Sequence, residues 1–304
     1  MALLLCAVLA APAQANFKVG MADQSPQMFD NPNFQALQIK RVRYLVPYDW
    51  YRQKFQVDEI QGYLDAAQRA GAEVLVHFTA RRGCFNDGRY SRSSKCRAPS
   101  VRTYVKSFKR FREKFGEITT YGVWNEGNHV SQPTAREPRL AAKYFLGARK
   151  ACPTCTFVAA DVLDTKNMES WLRGFRRVAK SKAKIWGLHN YGDVNRKRSS
   201  GTRRLLRTVP GQVWATETGG ILTFGRAFPR SQTRQANRTK YMFKLTDRYD
   251  SRRSGMRSRL TRLYNYQWTG AVRKARFDAG LVGPTGKPRK AYKQFKKLAR
   301  RHDR

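Results

Sequence analysis

Segments that read as strands and segments that read as helices alternate along this 304-residue chain, and they do so eight times. The strand-like runs cover residues 18–22, 42–46, 73–79, 119–124, 156–160, 184–189, 212–216 and 260–267. They are short, apolar and rich in β-branched and aromatic residues. Between and after them the apolar spacing changes to that of a helix, over 33–39, 58–70, 101–115, 139–151, 168–179, 202–208, 233–249 and 290–300. In the third of these, Val101, Val105, Phe108, Phe111 and Phe115 mark one face. Strands alternating with helices predict a parallel sheet, and eight units predict closure into a single (β/α)8 barrel, the TIM barrel of the α/β class. An open doubly wound sheet is the alternative, but it calls for a glycine-rich phosphate turn after an early strand, and none is present. No repeat or linker divides the chain, so residues 16–304 are expected to form one domain.

Composition adds one constraint. The chain carries 61 Lys and Arg against 21 Asp and Glu, a formal charge of +40, with 12% aromatic residues. A charge that large attracts anionic polysaccharide, cell-wall polymer, phospholipid or nucleic acid. The basic residues are spread along the chain rather than held in a tail, so a solvated basic surface without a dedicated partner is an equal reading. No recognised nucleic-acid-binding motif is present, and no specific nucleic-acid partner is expected.

Residues 1–15 contain no charged side chain, and Ala13-Gln-Ala15 fits the small-x-small cleavage pattern of a secretory signal, although the basic start of such signals is missing. The apolar run is shorter than the roughly 20 residues of a membrane span. The expectation is an exported chain beginning near Asn16, with no transmembrane segment. Four cysteines then remain, Cys84, Cys96, Cys152 and Cys155, an even number that points to disulfides in an oxidising compartment. Of three connectivities, sequence proximity favours Cys84–Cys96 and Cys152–Cys155. Cys152-Pro-Thr-Cys155 has redox-motif spacing but sits at a helix end, and no histidine pair stands at zinc-ligand spacing. No metal or cofactor is expected.

In a barrel of this kind the chemistry gathers at the carboxyl ends of the strands. The residues found there are Asp23, Arg43, Tyr48, His77, Asn125, Glu126, Asp161, His189, Tyr191, Glu217, Gln267 and Trp268. Glu126 lies in Tyr121-Gly-Val-Trp-Asn-Glu-Gly-Asn128 and Glu217 in Val213-Trp-Ala-Thr-Glu-Thr-Gly-Gly220. Each carboxylate ends a buried run as it opens into a loop. Two facing carboxylates are what cleavage of a glycosidic bond requires, one to protonate the leaving oxygen and one to attack the sugar carbon.

This pattern resembles the clan A glycoside hydrolases, a (β/α)8 superfamily of retaining enzymes that includes families 5 and 39. The resemblance rests on Asn125-Glu126 after strand four, Glu217 at the end of strand seven, and Arg43 within Val42-Arg-Tyr-Leu-Val46. His77 in strand three, His189-Asn-Tyr191 after strand six and Trp268 after strand eight extend it. The closing Gly280-Leu-Val-Gly-Pro-Thr-Gly-Lys-Pro-Arg-Lys-Ala-Tyr292 is also similar to the end of such barrels.

The resemblance implies a secreted retaining hydrolase of poly- or oligosaccharides, with Glu126 as acid/base and Glu217 as nucleophile. It implies that Arg43 and Tyr191 hold Glu217 ionised, and that Asn125 meets the sugar 2-hydroxyl. Trp268, and with it Trp50, would offer a flat face to sugar C–H groups, while His77 and His189 hold hydroxyls or carboxylates. The expected partner is carbohydrate, with an anionic polysaccharide favoured by the charge.

Each residue also has a structural reading. The two glutamates are ordinary ion-pair partners in a basic protein, His77 is a satisfied core histidine, and Trp124 is core. Asp23, Asp161 and Asp164 read more naturally as loop caps than as substrate contacts. The competing function is a basic barrel that binds glycan or wall polymer without cutting it.

Overall fold

The computed structural model describes residues 17–86, 89–251 and 253–302, so the signal-peptide expectation falls outside the described residues. Eight strands form the sheet: β1 (Lys18–Ala22), β2 (Arg41–Pro47), β3 (Glu73–Thr79), β4 (Thr120–Gly122), β5 (Thr156–Leu163), β6 (Ile185–His189), β7 (Gly211–Thr218) and β8 (Ser258–Tyr266). Each pairs in parallel with its sequence neighbours, and β8 returns to β1 from Lys18 opposite Arg262 to Ala22 opposite Tyr266. The sheet is therefore a closed barrel.

Seven longer helices wrap it: α1 (Lys54–Arg69), α2 (Val101–Lys114), α3 (Pro138–Ala151), α4 (Met168–Ala179), α5 (Ser200–Thr208), α6 (Gln232–Tyr249) and α7 (Lys290–His302). A parallel strand covered on both faces has to be apolar along its whole length. In β3, Val74 to Phe78 are accordingly all buried, His77 among them. The helices bury one stripe each. In α4 that stripe is Met168, Trp171, Leu172, Phe175 and Ala179, at three- and four-residue spacing. Ser100 and Ser231 start α2 and α6 by accepting from the backbone N–H of Thr103 (3.1 Å) and Arg234 (3.2 Å).

Two segments differ from the sequence reading. The helix expected over 33–39 is a single turn, Pro32–Gln35. Gln38 takes a left-handed backbone (φ 56°), which no right-handed helix continues through. Strand four ends at Gly122 rather than at Trp124, and the chain bends inward there. Asn125 N–H then donates to the Phe78 carbonyl (2.8 Å), and Glu126 sits at φ 48°.

Both disulfides join the neighbours in sequence, Cys84 to Cys96 and Cys152 to Cys155, with Cα–Cα distances of 5.5 and 5.4 Å. At the rim, Asp23 accepts from Thr269 N–H (2.7 Å) and Ser25 N–H (2.8 Å), tying the loop after β1 to the one after β8. Burial without a cationic partner pushes its carboxyl up to about 6. Asp164 accepts from the N–H groups of Asp193 (2.9 Å) and Gly192 (3.4 Å). Both aspartates are the loop caps their positions predicted.

Candidate active site

Arg43 occupies the centre of the barrel mouth, 1% exposed. Its Nε donates to His77 Nδ1 (2.7 Å), one terminal nitrogen to Glu217 Oε1 (2.6 Å), and the other to Asn125 Oδ1 (2.6 Å) and Asp161 Oδ2 (3.1 Å). A planar guanidinium with five donors suits such a junction, where an ammonium does not. β2 supplies the arginine, and its four partners come from β3, β7, the turn after β4, and β5.

His189, at the end of β6, forms a second junction. Its Nδ1 lies 3.0 Å from Glu126 Oε1 and 3.5 Å from Glu217 Oε2, and its Nε2 lies 2.9 Å from Asp161 Oδ2. Tyr191 donates its hydroxyl to Glu217 Oε2 at 3.2 Å. A carboxylate oxygen of Glu126, one of Glu217 and a nitrogen of His189 all lie within 4.8 Å of one another.

The charges follow from these contacts. Burial works to raise the Asp161 carboxyl, but His189 and Arg43 outweigh it and hold the group well below the usual carboxylate range. Burial works to lower His189, yet Asp161 and Glu217 raise it to about 10, so the ring is an imidazolium. His77 goes the other way. Burial and then the Arg43 charge push it well below its ordinary value, which leaves it neutral and free to accept from Arg43 Nε. In this geometry His189 bridges the Glu126 and Glu217 carboxylates.

The two glutamates reach out of this layer, with side chains 19% (Glu126) and 8% (Glu217) exposed, while those of His77, Asp161 and His189 are sealed. Two glycines make room beneath. A Cβ at Gly122 would lie 1.6 Å from the His77 ring, and one at Gly187 would lie 1.9 Å from Asp161 Oδ1. Gly187→Ala is expected to cost about 1–3 kcal/mol in stability, because Asp161 has no unoccupied place to go. Urea unfolding reads this directly, and a change under about 0.5 kcal/mol would mean that Asp161 is not confined.

The structure thus brings seven of the eight sequence-assigned residues together: Arg43, His77, Asn125, Glu126, His189, Tyr191 and Glu217. Trp268 goes elsewhere. Its ring, 2% exposed, packs edge-on against Phe34 and Tyr292 at 5.4 and 5.9 Å, in the layer between barrel and helices. A ring sealed there offers no face to a sugar. Trp50 is likewise core, against Phe111 and Phe115, and so is Trp124, stacked on Tyr48. Asp161 is no loop cap but part of the buried polar layer, accepting also from the Thr216 hydroxyl.

Three further side chains escaped the sequence reading. Tyr266, at the end of β8, packs against Tyr191 (6.4 Å), and Phe277 packs against both. His129 Nδ1 stands 3.6 Å from Glu126 Oε2. Asp161 had a signal, since a carboxylate inside Phe157-Val-Ala-Ala-Asp-Val-Leu163 must find a cation. Phe277, in a long loop, had none.

No family model matches the sequence, and no curated protein matches it. Solved structures do resemble the fold. A family 39 glycoside hydrolase from the gut symbiont Bacteroides cellulosilyticus WH2 superposes with a TM-score of 0.61 at 12% identity, over 93% of this chain and 63% of that one. A GH5_18 protein from Streptomyces cattleya, solved in complex with GlcNAc, gives 0.66 at 12% identity over 95% and 81% of the two chains. A psychrophilic family 10 endo-β-1,4-xylanase gives 0.61 at 13% over 92% and 96%. The fold is the closed (β/α)8 barrel that these glycoside hydrolases share. At such identities the likeness is one of architecture, and this chain spans less than two thirds of the family 39 protein.

The His189 assignment carries a pH dependence. A histidine raised in the folded state from 6.5 to about 10 stabilises the fold fully below pH 6.5, and that contribution is lost as pH rises through 10. Unfolding free energy of the wild type, minus that of His189→Asn, is expected to fall with pH over this window by roughly 1.4 kcal/mol per unit at most. A difference that stays flat from pH 6.5 to 10 would remove the imidazolium from the site.

Proposed function

We propose that this protein is an exported retaining glycoside hydrolase that cuts O-glycosidic bonds of a poly- or oligosaccharide by double displacement. The observation that carries this reading is the approach of the Glu126 and Glu217 carboxylates to within 4.8 Å, oxygen to oxygen. Retaining pairs stand about 5–5.5 Å apart, whereas inverting pairs leave about 6.5–9.5 Å for a water.

The surroundings divide the roles. Glu217 accepts from Arg43 and Tyr191, which fix its orientation toward the cleft. It attacks the anomeric carbon and displaces the leaving oxygen, giving a glycosyl-enzyme ester. Glu126, the more exposed of the two and held by His189, gives that oxygen its proton. It then takes a proton from the water that attacks the same carbon, which frees Glu217 and restores the starting anomer. Two cations, Arg43 and His189, face the three carboxyl groups of Asp161, Glu126 and Glu217. Asn125, oriented by Arg43, is placed for the sugar 2-hydroxyl.

Export is supported by the two disulfides. No helix among the described residues is long and apolar enough to cross a membrane. A barrel that only bound glycan by charge would have no use for a carboxylate pair at this spacing. The test is a screen of neutral and acidic glycans, with the products of any cleaved substrate followed by proton NMR from the first minutes. The retained anomer is expected to appear first. First release of the inverted anomer, or no reducing end from any glycan, refutes the assignment.

A further inference from the structure

Outward from the nucleophile runs a strip of aromatic rings. Tyr191, bonded to Glu217, packs edge-on against Phe277 at 5.9 Å, and Phe277 against Phe224 at 5.7 Å. Phe224, 39% exposed, ends the strip at the surface. The last two rings lie on a small antiparallel ribbon, Thr223–Phe224 against Phe277–Asp278, built from the loops after β7 and β8. That ribbon is held firmly. Asp278, buried, takes both terminal nitrogens of buried Arg289 at 2.8 Å each, and Gly225 N–H donates to the Arg276 carbonyl at 2.9 Å. Side chains placed in this way are available without reordering.

The charge on this lip is one-sided. Residues 219–231 and 267–278 contain Arg226, Arg230, Arg273, Lys274 and Arg276 against one carboxylate, Asp278, which is buried and paired with Arg289 and Arg230. Arg276 lies exposed with its guanidinium 5.7 Å from the Phe224 ring, and it forms no ion pair among the described residues. An aromatic face stacks on the C–H side of a pyranose. A guanidinium lying over that ring, planar and without an ion pair among the described residues, matches a carboxylate.

We infer that Phe224, Phe277 and Arg276 form a subsite for a hexuronate residue of the substrate, on the nucleophile's side of the cleft. This rests on the hydrolase reading only for the identity of the cleft, since the lip would bind such a residue whether or not it is cut. It separates the whole-surface charge, which attracts any polyanion, from one position that reads a carboxylate.

The probes are oligosaccharides containing galacturonate, mannuronate–guluronate or glucuronate, each paired with its carboxyl-reduced form. Binding is measured by calorimetry at physiological salt on the full chain carrying Glu217→Gln. At least one uronate probe is expected to bind about tenfold tighter than its reduced form. Adding Arg276→Gln should erase that difference, and adding Phe224→Ala should weaken both forms. Lys297→Gln, which removes the same charge from α7, should change neither by more than about twofold. Equal affinity for charged and reduced probes, absence of binding, or an equal loss from Lys297→Gln and Arg276→Gln overturns the subsite. Wild-type cleavage is scored alongside. Charge-selective binding without cleavage sinks the hydrolase and leaves the subsite, whereas cleavage with equal affinities does the reverse.

Discussion

Glu217→Ala is expected to reduce glycan cleavage by on the order of 10⁴-fold or more, because no other group can form the covalent intermediate. Glu126→Ala should behave differently. Loss of a general acid costs about 10²–10⁴-fold with a sugar as leaving group. With an acidic phenol in its place, departure needs no proton, so formation of the glycosyl-enzyme should be nearly unimpaired and its hydrolysis should become limiting. A burst of phenol followed by a slow steady rate is the expected trace. The same loss for both leaving groups would remove Glu126 from the acid role. Circular dichroism of Glu126→Ala should match wild type, since that side chain is partly exposed, whereas Glu217→Ala removes a buried partner of Arg43 and should keep the fold at reduced stability.

The largest effect on stability is expected at Arg43. Its side chain touches four buried partners, two of them carboxylates, and its removal strands those charges in a buried layer. Breaking a buried pair in this way costs about 3–5 kcal/mol, more than the pair itself contributes relative to an apolar filling. Arg43→Ala should therefore lower the unfolding free energy measured in urea by that amount and abolish cleavage. Arg43→Lys should recover only a part, because one ammonium does not reach four acceptors in the guanidinium plane. Full recovery by lysine would mean that charge, rather than the fork geometry, organises the site.

How far the sequence could be read depended on what kind of force placed each part. The strands and most helices are visible because burial imposes a period: Lys18–Ala22, Glu73–Thr79 and Met168–Ala179 lie where their apolar spacing puts them. The turn Pro32–Gln35 is shorter than its spacing implied, since a left-handed residue, Gln38, has no apolar signature.

Site residues on strands were legible for the same reason. Position along a strand of known parity sends Arg43, His77 and Glu217 to the mouth. Trp268 lies just beyond β8, where parity no longer holds, and its ring turned outward to Phe34 and Tyr292. Tyr266, two residues earlier, faces the site instead. Phe224 and Phe277 meet only because two loops, over fifty residues apart in sequence, pair as a ribbon. Pattern in one chain carries no trace of that.

Covalent trapping tests the central claim most directly. A panel of 2-deoxy-2-fluoro glycosides with good leaving groups should form an adduct that persists, because fluorine slows its hydrolysis. Peptide mapping by mass spectrometry is expected to place the added sugar on the Glu217 carboxylate and to find none in Glu217→Ala. An adduct on any other residue, or turnover that inverts the anomer without an adduct, would contradict a nucleophile at the end of β7.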